Sequence, residues 1–390
     1  MMHREKLDLP KANFLSLLSL LLAFTESSFI YVLSTYFATA LRSDNVSIFY
    51  FVAYGTSFIG LFFLHQWIRN IGKIRLLSIF FVALIALSAF LSKIPISLMG
   101  AAILICIIIF INLVWVTFDI ILEGYSTDGI SGRVRGMHLA IISIGSICGP
   151  IVSTHTLERY GFNGIFSISL IGFSLVLILI LLFLRRENRI VHGATLRPFA
   201  TLKKIWLERR DLARIFHVSF GLEFFYATMT IYTPIYLLSL GLSWEQIGVI
   251  FTIMLIPFVT LEYPIGILAD KKMGEKELLI GSIVIASLAT FSFAFLSIPS
   301  VAIWAGILFF SRIGIAGMEV LRDSYFYKQV DGDDLDIIAF FRMARPLSNI
   351  LSAIIVIPLL FIFPIKIIFF LVAFVMGSSL FSALFLKDTR

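Results

Sequence analysis

Residues 97–123 read SLMGAAILICIIIFINLVWVTFDIILE, an apolar run whose two charges, Asp119 and Glu123, lie at its far end. A helix needs about 20 such residues to cross the hydrocarbon core of a bilayer. Because the run is continuously apolar rather than alternating, it is typical of a membrane-spanning helix and not of a barrel strand.

Runs of this kind recur along the whole chain. The others lie near residues 13–40, 46–68, 76–92, 137–155, 163–184, 213–240, 246–269, 277–297, 300–323, 338–362 and 366–386. Hydrophobic residues make up 59% of the chain and charged residues only 14%, whereas soluble domains carry about 25% charged residues. The sequence therefore predicts an all-α integral membrane protein with twelve transmembrane helices.

The basic residues indicate how the spans are oriented. The chain has 31 Lys and Arg and a net charge of +7, and these residues lie at the ends of the runs rather than in a basic domain. Placing both termini in the cytoplasm leaves only Arg42, Lys93, Arg159 and Lys366 outside. Because cytoplasmic loops carry the excess of Lys and Arg, we expect cytoplasmic termini in the plasma (inner) membrane and no nucleic-acid partner.

A long basic stretch divides the runs into two halves of six. We expect an N-terminal six-helix bundle over 1–184, a basic cytoplasmic central loop over 185–212 and a C-terminal six-helix bundle over 213–390. An offset of 200 residues brings Asp119, Glu123 and Tyr125 onto Glu319, Asp323 and Tyr325, and Asn112 onto Arg312. Such internal symmetry predicts two pseudo-symmetric bundles.

Two short motifs stand out beyond the apolar pattern. The loop after the eighth run reads Gly266-Ile-Leu-Ala-Asp270-Lys271-Lys-Met-Gly274. In the fifth run, eight residues separate Gly136 from Gly145, and three more separate Gly145 from Gly149 and Pro150. With these motifs the chain resembles the major facilitator superfamily over its full length, because they are similar to that family's signature loop and antiporter motif. The resemblance implies two rocking bundles that give alternating access to a central cavity, with the motif residues acting in gating.

The glycine motif also has a direct physical meaning. Gly145 and Gly149 lie four residues apart on one helix face, where small residues let another helix approach closely. Pro150 lacks a backbone donor and can bend the helix. A rocking surface and ordinary helix packing both stay open as interpretations. In the loop motif, we expect Asp270 to pair with Arg322 and to latch the cytoplasmic side.

Four polar residues fall at membrane depth, where ionisable groups are costly and mark functional sites. Glu26 lies roughly 20 Å into the first run, at about 1.5 Å per residue, and Arg312 reaches a similar depth in the tenth. Glu223 lies in the seventh run and Asn112 in the fourth. In the family that the chain resembles, the first, fourth, seventh and tenth helices line the cavity, which implies that these residues share one substrate and proton site.

Carboxylates and an arginine at this depth suit ion coupling. Glu26 and Glu223 are candidate proton carriers or cation ligands, and Arg312 is a candidate counter-ion or anion ligand. Moving an arginine toward or away from a buried carboxylate changes how tightly that carboxylate holds a proton. The alternative is that Arg312 only neutralises one glutamate in a static pair.

The remaining charges are interpreted as structural. Glu319, Arg322 and Arg345 are assigned to cytoplasmic helix ends, and Glu262 to the structure of the gate. The Cys, His and Asp residues show no spacing typical of a metal site, and neither a phosphate loop nor a nucleophile–base motif is recognisable. The sequence therefore predicts neither an enzyme nor a cofactor.

These observations favour a secondary active transporter that moves a small organic solute by alternating access. We expect a monomer in the bilayer whose partners are the solute and the proton, and proton-coupled antiport in the efflux direction is the first hypothesis. Proton-coupled uptake by symport is the close alternative, because export rests only on the motif from Gly145 to Pro150. A lipid scramblase or a non-transporting membrane sensor on the same scaffold is a further alternative.

Overall fold

The computed structural model describes residues 9–42, 46–123, 131–184, 209–330 and 335–387. Within these ranges the secondary structure is helical and no strand is present. The helices are α1 (Leu9–Leu41), α2 (Ser47–Ile71), α3 (Lys73–Leu91), α4 (Leu98–Glu123), α5 (Ser131–Ile147), α6 (Gly149–Phe183), α7 (Arg210–Ser239), α8 (Trp244–Leu268), α9 (Glu275–Phe293), α10 (Val301–Lys328), α11 (Leu335–Arg342), α12 (Ala344–Ile362) and α13 (Ile367–Leu384). A π-helical turn, Ala269–Met273, joins α8 to the loop before α9.

These helices form twelve membrane spans in the described part of the chain, as the sequence predicted. Among the described residues, nine stretches are long and apolar enough to cross a membrane, and one of them, Met137–Phe183, has 47 residues and holds two spans. The other two spans are α2, whose apolar part is Ser47–Leu61, and α7, which carries Glu223 within it. The eleventh span consists of α11 and α12.

The fifth span is α5 continued by residues 149–160 of α6, and it runs parallel to α1. Gly145 packs on Leu20 and Gly149 packs on Ser27, so both helices advance together along the contact. Gly161 then interrupts α6 with φ 64° and ψ −165°. L-residues with a side chain rarely adopt this backbone conformation, whereas glycine does so at little cost.

The chain reverses direction at Gly161. Beyond it, the ring of Phe166 lies 5.8 Å from that of Tyr36, and the ring of Phe183 lies 4.9 Å from that of Phe14. Residues 162–183 therefore run antiparallel to α1 and form the sixth span. A single glycine thus separates two spans that belong to one continuous helical element.

The spans pack as two six-helix bundles. In the first, α1 packs on α5 and α6, and α3 packs on α4 and α6; in the second, α10 packs on α8 and α9, and α7 packs on α12 and α13. The bundles meet where α5 and α6 contact α8, where α2 contacts α12 and where α1 contacts α7. The boundaries expected at residues 184 and 213 stay predictions, since residues 185–208 lie outside the described part of the chain and α7 begins at Arg210.

Corresponding corners of the two bundles share a backbone conformation, as expected for a repeat. Gly72 joins α2 to α3 with φ 91° and ψ 150°, and Gly274 joins the π-helical turn to α9 with φ 77° and ψ 171°. Both corners need a glycine for the same steric reason. Of the residues aligned by the 200-residue offset, Tyr125 and the side chains of Asp119 and Glu123 lie outside the described residues.

Candidate functional site

The two bundles have two ends in common, and the site lies between them. The terminal end is the end at which α1 begins and α13 finishes, and the opposite end is the end at which α1 finishes and α2 begins. A cavity of about 330 Å³ lies between the bundles. It begins beside Ile30 and Thr230, past the middle of α1 and α7, and extends to Ser19 and His138 near the terminal end.

Charged side chains from both bundles line this cavity. They are Glu26, Glu223, Glu319, Asp323, Arg342 and Arg345. Tyr31, Trp115 and Tyr226 add aromatic surface to its walls. Two smaller cavities of about 60 and 150 Å³ adjoin it, and Glu223 and Arg345 line all three. These two residues therefore mark the point where the cavities meet.

Glu26 is the charged residue that the first bundle contributes from α1. Its Oε2 accepts a hydrogen bond of 2.5 Å from the indole nitrogen of Trp115 on α4. Its Oε1 lies 3.8 Å from the Arg345 guanidinium of α12, and Tyr54 of α2 also lies beside Arg345. This ion pair joins the two bundles across the cavity. Arg345 lies in the first turn of α12, at a helix end as the sequence predicted, and it also lines the cavity.

Glu223 of α7 is paired within the second bundle. Its Oε1 lies 2.9 Å from a terminal nitrogen of Arg322, which also donates a hydrogen bond of 2.8 Å to Ser219. The Nε of Arg322 lies 3.4 Å from Asp323. Arg322 is only 5% exposed, so these contacts neutralise a cation that water does not reach. Arg322 lies six residues before the end of α10 at Lys328, and it is buried there rather than exposed at the helix end.

Asp270 does not pair with Arg322, contrary to the sequence prediction. Its partner is Lys328 at the end of α10, at 3.0 Å, and the same ammonium also contacts Glu275. Ser324 donates a hydrogen bond of 2.9 Å to Glu275, which is fully buried. The signature loop therefore ties α8, α9 and α10 together inside the second bundle, at the terminal end.

The other residues of the signature loop have backbone roles or exposed positions. Gly266 is buried in the last turn of α8, where it packs below the loop. Lys271 is exposed on the π-helical turn. Gly274 supplies the positive φ that turns the chain into α9. Their predicted roles in gating stay predictions.

Glu319 is a buried acid that sequence reasoning left out of the site. Tyr226 of α7 donates a hydrogen bond of 2.5 Å to its Oε2. Glu319 lies on α10 one turn before Asp323, so both carboxyl groups project from the same face toward the cavity. Together with Glu26 and Glu223, they place four acids around one space.

Arg312 is deeply buried but stands apart from the cavity walls. It is 5% exposed, and its guanidinium lies 4.6 Å from the ring centre of Phe225. Its one described hydrogen bond is a long one of 3.4 Å to Ser311. No carboxylate of the described residues lies within ion-pair distance of it, so Arg312 does not neutralise Glu26 or Glu223 here.

Asn112 of α4 lies beside the same site and contacts its own helix. Its amide nitrogen donates to the Ile108 carbonyl at 2.9 Å and approaches Ser57 of α2 at 3.5 Å. It lines the two smaller cavities next to Glu223 and Arg345. Of the four residues predicted to share a site, the structure therefore brings Glu26, Glu223 and Asn112 together. Arg312 does not line the cavity.

The glycine motif packs within the first bundle. A Cβ built on Gly145 would collide with the Leu20 carbonyl, and one built on Gly149 would collide with Ser27. Pro150 lies in the first turn of α6, where a missing backbone donor costs least. Gly136 lies in α5, and its surroundings are outside the described residues. The rocking role stays a prediction, and the observed partner of Gly145 and Gly149 is α1.

Contacts between the bundles close the opposite end. The backbone nitrogen of Glu245, in the first turn of α8, donates to Glu158 at 2.9 Å. Gly248 of α8 packs against Thr154 so closely that a Cβ there would collide with its hydroxyl. Ser47 of α2 also forms a short hydrogen bond with Tyr232 of α7. The cavity therefore extends toward the terminal end and not toward the opposite end.

The fold of the chain is similar to that of known proteins. A family model for the Major Facilitator Superfamily matches residues 14–331, and the chain belongs to this family of membrane transporters. A crystal structure of the human organic anion transporter MFSD10 (TETRAN) aligns with a TM-score of 0.68 at 14% identity, covering 96% of this chain and 98% of that one. The POT family transporter PepTSo aligns with a TM-score of 0.68 at 14% identity, covering 96% of both chains. A comparison with curated protein sequences finds no match.

Proposed function

We propose that this transporter is a secondary active one that moves a small organic solute by alternating access and couples this movement to protons. The observation that carries the proposal is the pair between Glu26 and Arg345, which spans the two bundles at 3.8 Å inside the cavity. Rocking of the bundles changes the separation of α1 and α12, and with it the strength of this pair.

The separation of this pair leaves room for a competitor. An ion pair with full hydrogen bonding has nitrogen and oxygen about 2.7–2.9 Å apart, and the pair of Glu26 with Arg345 is wider. A proton on Glu26 removes its attraction for Arg345, which then faces Glu223 as its remaining acid. Proton binding at Glu26 thus changes how strongly Arg345 can bind an anionic solute, and such linkage between proton and solute binding is the requirement for coupled transport.

The direction of transport follows from the orientation of the protein. With cytoplasmic termini in the plasma (inner) membrane, as the basic residues favour, the cavity faces the cytoplasm and admits a solute for export. Export in exchange for protons remains our first hypothesis, and uptake together with protons is the alternative. In both cases we expect a monomer to be the working unit.

The walls favour an amphipathic organic ion. Tyr31, Trp115 and Tyr226 provide aromatic surface beside the charges. MFSD10 is described as an organic anion transporter. An organic anion in this cavity would meet the Arg345 guanidinium, which is 41% exposed, before it met the buried Arg322.

A flux experiment in proteoliposomes tests this function. A thermal-stabilisation screen across solute classes first supplies a ligand, and proton movement on addition of that ligand is then followed with an enclosed pH-sensitive dye. Glu26→Gln keeps the shape of the side chain but cannot exchange a proton, so we expect loss of ligand-driven proton movement with folding retained. Glu277→Gln, an exposed acid on α9, is the control and should behave as the wild type.

The direction of the proton signal separates the alternatives. Antiport moves protons against the ligand, and symport moves them with it. Ligand flux through the wild type that ignores the pH gradient would refute proton coupling. Coupled flux that persists in Glu26→Gln would remove Glu26 as the carrier.

A further inference from the structure

Glu262 is a second buried acid at the contact between the bundles. It lies on α8 and is 1% exposed. Ser143 of α5, in the other bundle, donates a hydrogen bond of 3.4 Å to its Oε2, and its Oε1 has no hydrogen-bond partner among the described residues. No cation of the described residues lies within ion-pair distance of it. Glu262 also lies outside the walls of the central cavity.

The ionisable groups around Glu262 do not compensate a negative charge. Glu319 and Asp323 face it from α10, and Tyr226 faces it from α7. On α5, Ser143 is neutral, and the nearest titratable side chain toward the terminal end, His138, is hydrogen-bonded to Ser16. Two other neighbours meet α8 toward the opposite end, α6 near Gly248 and α1 through the rings of Tyr31 and Phe251. On the π-helical turn that follows α8, Asp270 is paired with Lys328.

Glu262 is buried without a described cation within ion-pair distance, so its protonation state follows from the cost of burying a charge. Transferring a carboxylate out of water costs several kcal/mol unless a cation or several donors compensate it. One long hydrogen bond does not compensate it, and two nearby acids oppose a further negative charge. A neutral carboxylic acid carries no net charge and therefore avoids both costs.

We propose that Glu262 is a proton-binding site between the bundles, holding a proton while α5 and α8 are packed and releasing it when they separate. On release, the O–H bond of the acid breaks and the proton passes to water that enters the opened contact, leaving a hydrated carboxylate. The inference rests on the proposed alternation of the bundles but not on the identity of the solute. In this proposal, α5 and α8 pack together only while Glu262 carries a proton. This requirement is separate from any proton exchange at Glu26.

Distance measurement between spin labels tests this site without a substrate. Met137 on α5 and Met273 after α8 are exposed at the terminal end and can carry the labels as cysteines, with Cys106 and Cys148 changed to serine. Packed helices hold more protons in this proposal, so contact is favoured at low pH and lost as the pH rises. The main distance should therefore lengthen as the pH rises in the wild type.

The variant Glu262→Gln imitates the protonated acid. It should keep the short distance across the whole pH series, whereas Glu245→Gln, an exposed acid on the same helix, should respond like the wild type. A label distance that does not change with pH in the wild type would overturn the proposal. So would a distance that lengthens in Glu262→Gln as it does in the wild type.

A second measurement covers the case in which Glu262→Gln does not fold. The infrared carbonyl band of a buried carboxylic acid should be present in the wild type, move in Glu262→Asp and vanish at alkaline pH. A spectrum in which no such band responds to Glu262→Asp would overturn the proposal. Neither experiment needs transport, so a pH response at Glu262 would support the site even if solute flux were not coupled to protons. Conversely, proton-coupled flux without a pH response at Glu262 would refute this site but not the proposed function.

Discussion

At the scale of single residues, the second bundle is organised around Arg322. Its guanidinium contacts Glu223, Asp323 and Ser219 where almost no water is present. Removing one partner of a buried pair costs more than the pair itself contributes, because the other charge is left without compensation. The stability of the bundle therefore depends on keeping this set of charges balanced.

We predict that Arg322→Gln lowers the free energy of unfolding by about 3–5 kcal/mol, since it removes the buried cation that contacts Glu223 and Asp323. Thermal unfolding of the purified protein in detergent measures the change. Adding Glu223→Gln to the same protein should recover part of the loss, because it removes one of those acids.

Arg214→Gln is the matched control for this prediction. Arg214 pairs with Asp211 at 2.6 Å on the same face of α7, and its side chain is 31% exposed. Exposed pairs contribute about 0–1 kcal/mol, so the control should hardly change the unfolding temperature. Equal effects of the two arginine substitutions would contradict the importance of the buried set.

Sequence reasoning identified the acids of the site better than their partners. Glu26 and Glu223 follow from depth along an apolar run, which is a local property of the sequence. Arg345 lies near the start of the eleventh run, and only the packing of α12 against α2 brings it to Glu26. A pairing between bundles depends on helix rotation and kinks, and neither leaves a local pattern in the sequence.

At the scale of helices, small residues determine how closely α1 approaches its neighbours. Gly145 and Gly149 contact α1 from one side, and Gly172 of α6 packs on Thr25 of the same helix. Close backbone approach gains dispersion contacts that lipid does not replace. The helix that carries Glu26 is thus held by glycine contacts.

We predict that Gly149→Ala costs about 1–3 kcal/mol in stability, because the added methyl group overlaps Ser27 and forces α1 and α6 apart. The unfolding temperature in detergent reports the loss. Gly55→Ala on α2 serves as the control, since a Cβ there meets no other atom within 4 Å. A stable Gly149→Ala variant with unchanged packing would refute the assignment of this glycine to helix contact.

The spans themselves were predicted well, and their joints were not. Continuous apolar runs identify helices because the bilayer leaves the backbone few other options. The break at Gly161, the π-helical turn after α8 and the division of the eleventh span into α11 and α12 depend on local backbone geometry. Apolarity does not encode such features.

At the scale of the whole molecule, the opposite end is closed by contacts that either bundle could release. Gly248 and Thr154 bring α8 against α6, and Glu158 accepts the hydrogen bond at the start of α8. These contacts are few and lie at one end, so they constrain the relative tilt of the bundles without joining their cores. The sequence predicted two bundles but not which end is closed.

We predict that Gly248→Leu shifts the protein toward a form open at the opposite end, because the larger side chain has no room beside Thr154. A cysteine replacing Thr230 inside the cavity, in a protein without Cys106 and Cys148, reports access by an impermeant maleimide from that side. An overpacking cost of about 1–3 kcal/mol corresponds to labelling about 5- to 150-fold faster.

The control for this shift is Gly306→Leu on α10, where a Cβ meets no atom within 4 Å. It should leave labelling at the wild-type rate. Unchanged labelling in Gly248→Leu, with the protein still folded, would show that the closed end does not depend on this contact.

The single-glycine reversal at Gly161 has a consequence for biosynthesis. Because no loop connects the two arms of α6, no segment there can remain in water while one arm enters the membrane and the other is still being made. We therefore expect the two arms to leave the insertion machinery together, as one helical hairpin.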